Sequence, residues 1–384
     1  MDAPKGWRAA LLQQRRDIDS QDAEQSPTAT PIDPRPHLIL ATGIILTLLV
    51  LWVVLNYTFG TDDLEWAGSY NTEGPASGVE AVGDYAYVAD GAFGLKIIDV
   101  SSPNNPQFAG EYRTNDVAYD VATAGGYAYV ACEDAGMVVL DVSNPTNPQE
   151  VGSYDTTGDA FGVETSSGYA YVADGPAGLA VIDISNPASP QLAGSYDTEG
   201  DAWGLAIAGN YAYIAEKDKG LLVIDVSDPA NPLKAGSYDT DDYALGIAIA
   251  GSYAYVADYR AGMVVIDISD PTNLREVSNY NIDGYAISVA VSGSYAYVAN
   301  YRAGVAVIDI SDPKNPKSAG SYGNEGYALD VTVAGDHIYV ADGTGGLLVG
   351  NFMSEDDGLG IPAPSVAVSV AAVAVIALRR PRNT

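Results

Sequence analysis

The sequence predicts an all-β fold, a seven-bladed β-propeller built from 42-residue, four-stranded repeats. Three observations carry that prediction. The second tyrosine of a "YAY" triplet recurs at Tyr87, Tyr129, Tyr171, Tyr213, Tyr255, Tyr297 and Tyr339, every step being 42 residues with no insertion. Each unit holds four short runs of strand-forming residues. A spare fourth run stands ahead of the first unit, where it can complete the last. Helices are expected only at the two ends, as membrane segments flanking the propeller.

The runs are plain in a single unit. "LGIAIAG" covers residues 245–251, followed by "YAYVAD", "GMVVIDIS" and "LREVSNYN". Each is four to eight residues long, rich in β-branched or aromatic side chains, and bounded by Gly, Pro, Asp or Ser. No helical period of 10 residues or more interrupts residues 64–352. A repeat of this length with four strands per unit is the signature of propeller blades.

The ends of the array set its closure. The first three runs occur seven times, but the fourth follows only six of them. The seventh unit stops at "LLVGNFM", while "LEWAGSYN" at residues 64–71 precedes the first unit. Pairing of 64–71 beside 347–352 would finish the last blade from the opposite end of the chain and leave no open sheet edge there. The propeller is therefore expected over residues 64–353.

Outside it the chain changes character. Residues 38–59 read "LILATGIILTLLVLWVVLNYTF", 22 residues without a charge, or about 33 Å of helix. Lys5, Arg8, Arg15, Arg16 and Arg35 precede this run, and Asp62, Asp63 and Glu65 follow it. Positive charge marks the cytoplasmic side, so 1–37 is expected inside the cell and the propeller outside. A linker at 354–365 leads to an apolar C-terminal segment, 366–384, ending in Arg379, Arg380 and Arg382. This tail resembles the C-terminal sorting signals of archaeal and bacterial surface proteins, although "IPAPS" departs from their usual core motif. A plain membrane anchor is the alternative.

Internal comparison separates scaffold from variable positions. Gly94, Gly136, Gly178, Gly220, Gly262, Gly304 and Gly346 share one place in the repeat, read as a turn of positive φ. Asp99, Asp141, Asp183, Asp225, Asp267 and Asp309 share the "ID" position, two residues before Ser, and are expected to cap the following turn. A carboxylate present in nearly every blade marks scaffold rather than a single active site. With "YAYVAD" and "LxVIDIS" in each unit, residues 64–352 resemble the LVIVD-repeat family of β-propellers. That resemblance implies the propeller fold and a place on a cell surface, and supplies no functional residue.

Blade strands alternate in direction, so the turns after runs one and three share one face and those after runs two and four share the other. The first set is monotonous. The second varies: "DGAF", "CEDA", "DGPA", "EKDK", "DYRA", "NYRA" and "DGTG" follow run two. Variable loops on a uniform scaffold point to binding. Tyr243, Tyr259, Arg260, Tyr285, Tyr301, Arg302 and Tyr327 form the candidate binding surface, read as an exposed patch of stiff aromatic and guanidinium groups suited to a protein or a glycan. Tyr119, Phe161, Trp203, Leu245, Ile287 and Leu329 share a position apolar in six of seven units and are assigned to the core between blades. A second candidate site is acidic. Glu80, Asp120, Glu164 and Asp330 fall on run one of neighbouring units, with Asp116, Asp155 and Asp159 in nearby loops. Such oxygen ligands suit Ca²⁺, and a wet acidic channel is the alternative.

The remaining chemistry is sparse. A formal charge of −32 excludes an electrostatic grip on nucleic acid. The two histidines, His37 and His337, offer no triad or His-ligated metal. Cys132 is the lone cysteine and stands where other units carry Asp, Glu or Asn. The expected function is a non-catalytic, monomeric propeller anchored in the membrane that binds a surface partner through its variable face, without a cofactor. The alternative is a carboxylate-based glycan hydrolase or lyase working in the central channel.

Overall fold

The computed structural model describes residues 65–351. They form seven four-stranded antiparallel sheets. In blade 1 the strands run outward in chain order as Gly78–Val82, Tyr85–Ala89, Leu95–Asp99 and Gln107–Tyr112. Blades 2 to 6 repeat this order. Blade 7 takes Asp330–Ala334, His337–Ala341 and Leu347–Asn351 from the end of the array and Trp66–Tyr70 from its start. Gly68 lies opposite Val349 and Tyr70 opposite Leu347 in antiparallel register, so the expected closure is present. Among the described residues no helix is long and apolar enough to cross a membrane. The expected membrane segments, 38–59 and 366–384, lie outside the described residues.

The core sits between blades, because each strand of a blade is apolar on both sides of its sheet. In "YAYVA" of blade 1, Tyr87 and Ala89 pack toward blade 2 against Val121, Val130 and Leu140. Ala86 and Val88 point the other way, against Tyr339, Leu347 and Val349 of blade 7. The repeated second tyrosine is the large filler of each interface, 2–7 % exposed in the seven blades. Inner strands adjoin one another around the whole ring, blade 7 meeting blade 1, and enclose a central channel.

Both scaffold expectations hold. The seven shared glycines have φ between 70° and 91°. At Gly94 a Cβ would stand 2.3 Å from the Tyr112 carbonyl oxygen, so the position rejects side chains on steric grounds as well. The "ID" carboxylates cap their turns: Asp99 Oδ1 accepts from Ser101 N at 3.0 Å, and Asp183 and Asp309 do the same with Ser185 and Ser311 at 2.8 Å.

Closure rests on identifiable contacts. The Trp66 ring lies 4.6 Å from that of Tyr322 in blade 6, and its Nε1 donates to the Gly323 carbonyl at 2.6 Å. Gly343 of blade 7 and Ala76 at the entry to blade 1 exchange two backbone hydrogen bonds of 3.0 Å. Trp66→Ala removes the ring contact and the indole donor. A half-buried Trp makes this cost roughly 2–3 kcal/mol, less than the ~3–5 of a fully buried one. Urea unfolding of the full chain is expected to show that loss, and limited proteolysis to begin in blade 7.

Candidate functional site: the variable loop face and the acidic channel

The variable face is held by a set of buried polar residues whose shared position internal comparison shows but whose role it does not. They are Asp90, Asp174, Glu216, Asp258, Asn300 and Asp342, the residues that end run two. Asp174 accepts from Thr156 Oγ1 at 2.5 Å and from Gly158 N at 2.9 Å. Asp258 does the same with Thr240 Oγ1 at 2.7 Å and Asp242 N at 3.2 Å. Each carboxylate thus clasps the loop that enters its blade to the loop between its second and third strands. Burial raises their pKa values, opposed by these hydrogen bonds. Cys132 takes this place in blade 2. It is fully buried, and burial pushes its thiol up to about 12, so it is held as an unreactive SH.

The next residue along the loop bridges to the following blade, as in Gly91 with Ala118, Gly175 with Ala202 and Gly343 with Ala76. This turn needs left-handed backbone, and glycine supplies it at Gly91, Gly175 and Gly343 with φ of 58°, 51° and 51°. Blades 5 and 6 place Tyr259 and Tyr301 in the same conformation, at φ of 42° and 49°. A bulky residue there carries a steric cost of about 1–2 kcal/mol. Glu133 of blade 2 shares the conformation, at φ of 38°.

The tyrosines that depart from glycine build a row of rings. Tyr243 and Tyr259 are 5.9 Å apart between centroids, Tyr259 and Tyr285 4.7 Å and stacked, Tyr285 and Tyr301 6.2 Å, and Tyr301 and Tyr327 4.8 Å and stacked. Arg260 lies over Tyr259, at 5.4 Å. Arg302 lies over Tyr301 and Tyr327, at 6.0 and 5.4 Å. The structure therefore brings all seven candidate residues together, with one correction. Tyr259 is only 6 % exposed, because Tyr243, Tyr285 and Arg260 cover it, whereas Arg260 and Arg302 are exposed.

A second correction enlarges the site. Tyr119, Phe161, Trp203, Leu245, Ile287 and Leu329 are half-buried rather than packed in the core between blades. Five of them stand immediately before their inner strands on the loop face, and Trp203 lies at the start of its own, Ala202–Ala208. Tyr119 meets Phe161 edge-on at 5.2 Å, and Phe161 stacks on Trp203 at 4.6 Å. Lys217 joins this group to the tyrosine row, lying over Trp203 at 5.2 Å and over Tyr243 at 5.3 Å. The aromatic arc then runs from Tyr119 to Tyr327. Among the described residues no acceptor meets the buried Nε1 of Trp203.

The channel carboxylates also come together. Glu80 is hydrogen-bonded to Thr123 of the next blade, yet burial pushes its carboxyl up to about 8, with the Asp120 charge adding to the rise. Glu164 is open to channel water but ringed by protein, and burial with the Glu80 and Asp330 charges pushes it to about 8. Asp120 and Asp330 are raised as well, burial first. Their oxygens are largely committed to the scaffold. Asp330 accepts from Val79 N at 2.9 Å across the ring closure and from Ser288 Oγ at 2.7 Å. Asp120 accepts from Val163 N at 2.9 Å and Val121 N at 2.8 Å. Among the described residues no group of three or more acidic, His or Cys side chains is arranged to hold a metal ion. In the loops, Asp159 is pushed up to about 6 by burial and by its hydrogen bond to Asp134.

These features define a closed repeat propeller with one constant face and one variable face. The LVIVD repeat is matched at residues 73–114, 117–156, 157–198, 199–240, 242–282, 283–324 and 325–349, and the chain belongs to the LVIVD-repeat family. Among curated proteins none matches this sequence. Two similar solved structures carry the fold alone. One is the computationally designed Ika8 protein, at 10 % identity and a TM-score of 0.58, covering 75 % of this chain and 100 % of that one. The other is the WD40 repeats of RRP9, at 9 % identity and a TM-score of 0.63, covering 76 % of this chain and 98 % of that one.

The channel chemistry sets a pH dependence. Glu80 and Glu164 bind protons more tightly folded than unfolded, so stability falls as pH rises from about 4.5 through about 8. In the Glu80→Gln, Glu164→Gln double variant that slope is removed. Melting temperatures of the two proteins from pH 5 to pH 9 are expected to diverge most at the alkaline end, with the variant higher.

Proposed function

We propose that this chain is a non-catalytic binding propeller, held outside the cell by its terminal apolar segments, that takes a protein or glycan partner on its variable loop face. The supporting observation is the backbone at Tyr259 and Tyr301. Blades 1, 3 and 7 place glycine at this turn, the residue the conformation favours, whereas the adjacent blades 5 and 6 place tyrosine there, which the conformation disfavours, and blade 2 places Glu133. What the replacement gains is the row of locked rings with arginines laid over them. Rigid aromatic and guanidinium groups are the side chains from which binding hot spots are made.

Tyr301→Gly tests this reading. Relief of about 1–2 kcal/mol of backbone strain offsets the loss of stacking worth about 0.5–1.5 kcal/mol, so the melting temperature should move little. Binding to glycan arrays or to purified surface proteins, measured with the full chain, is expected to fall at least tenfold. Unchanged binding would remove the loop face from the function. Glycan turnover that disappears in Glu80→Gln, Glu164→Gln would move the function to the channel.

The expected topology has its own measurement. A membrane-impermeant amine reagent applied to intact cells should label propeller lysines such as Lys219 and Lys314, and should reach Lys5 only after lysis. The reverse pattern overturns the orientation.

A further inference from the structure

The loops that enter the blades change chemistry from the edge of the variable face to its centre. Each leaves an outer strand and reaches the next inner one, as 113–119 does between Gln107–Tyr112 and Asp120–Ala124, so place along the loop is place along a radius. The outer half is acidic. Glu73, Glu199, Asp241, Asp283 and Glu325 share one exposed position in five of the seven blades, and Asp155, Asp197 and Asp239 share another. Arg113 is the one basic residue in these loops, and it pairs with Glu73. Among the described residues the ion pairs join Lys96 and Arg113 to Glu73 and Glu111, and the rim carboxylates of blades 3 to 7 take part in none.

The inner end is apolar. Tyr119, Phe161, Trp203, Leu245, Ile287 and Leu329 stand there half-buried, where the inner strands begin around the channel. Tyr243, Tyr285 and Tyr327 come two residues earlier, and so farther out, in the loops of blades 5 to 7. An apolar centre inside a charged rim is the anatomy of a protein interface. The aliphatic half of the centre separates a protein from a sugar. Leu245, Ile287 and Leu329 offer a saccharide no hydrogen-bonding group and no ring, whereas an apolar side chain sheds water against them. The rim sets the sign of the partner. Carboxylates spaced around a face are met by Lys and Arg, and a net charge of −32 draws such a partner from a distance.

We propose that the loop face docks a protein whose contact surface is basic at its edge and carries an apolar knob at its centre. The knob seats against Leu245, Ile287 and Leu329 with the aromatic arc beside them, and the basic edge meets the rim carboxylates. This inference rests on the loop-face reading above and narrows it to one class of partner. The centre supplies most of the affinity, and the rim supplies the rate of approach and the salt dependence.

The test uses the full chain with three peptides of one length: a Trp and Leu centre flanked by Lys, the same centre flanked by Glu, and Lys throughout. Fluorescence anisotropy is expected to show the Lys-flanked apolar peptide bound, and the other two at least tenfold more weakly. Leu245→Ser with Ile287→Ser should lower its affinity at least tenfold. Glu199→Gln, Asp241→Asn and Asp283→Asn together should lower it about fivefold and flatten its salt dependence. Asp228→Asn, Asp270→Asn and Asp312→Asn remove the same charge from turns of the constant face, keep the acceptors that cap those turns, and should change neither. The all-Lys or the Glu-flanked peptide bound as tightly, or equal losses in the two charge variants, overturns the proposal. If no peptide binds but glycan binding is lost in Tyr301→Gly, the loop-face reading stands and this proposal falls. If the Lys-flanked peptide binds the parent, Tyr301→Gly and the Leu245, Ile287 variant equally, both fall. Should the Leu245, Ile287 variant not fold, the peptide series and the paired charge variants decide.

Discussion

The structure depends on the pairing of Trp66–Tyr70 with Leu347–Asn351. A blade has no core of its own, since its apolar residues point out of both sides of the sheet. Six interfaces form between neighbours in sequence, but the interface of blades 7 and 1 forms only if the two ends of the array meet. That meeting is secured at three depths. The outer strand of blade 7 comes from the start of the array, Gly343 and Ala76 exchange backbone bonds, and Asp330 accepts from Val79 N at the channel. The channel and the arc of rings are both properties of the closed ring. An open row of the same blades would leave Ala76, Val79 and Val88 facing water at one end and Tyr339, Leu347 and Val349 at the other.

Much of this was legible because the chain repeats itself without insertions. A constant 42-residue step aligns the blades unaided, and it exposes the glycines at 94 to 346 and the capping carboxylates as scaffold. The same step aligned Tyr259 and Tyr301 with Gly91, Gly175 and Gly343, so their left-handed backbone was in principle readable too. Other features were not readable. An apolar residue in six of seven blades looks like core, yet Tyr119, Phe161 and Trp203 are half-buried, because stacking covers one side of a ring and leaves the other. Apolar pattern reports that a residue avoids water, not which neighbours provide the shelter. The buried polar residues from Asp90 to Asp342 were obscured for a related reason. Their identity varies among Asp, Glu, Asn and Cys, and only the clasp they make across two loops shows what they share.

The clasps and the strained tyrosines belong to one arrangement. Left-handed tyrosines persist only where their surroundings hold them. Asp258 and Asn300, immediately before Tyr259 and Tyr301, tie both loops down, and the backbone bridges to Ala286 and Ala328 fix the next blade against each. Stacking on Tyr285 and Tyr327 then adds to the restraint. The rings are set in place before any ligand arrives, so ordering them is not a cost that binding must meet.

The manner in which the cations are held decides what they can do. Lys96 has its charge met by carboxylates: it is buried in blade 1 against Glu111, with Glu73 close by. Lys217 and Arg260 are anchored by ring faces instead. A π face attracts a cation without neutralising it, so position is gained while the charge remains available to an anion. Contact with rings thus fixes a cation on this surface and still leaves it its charge.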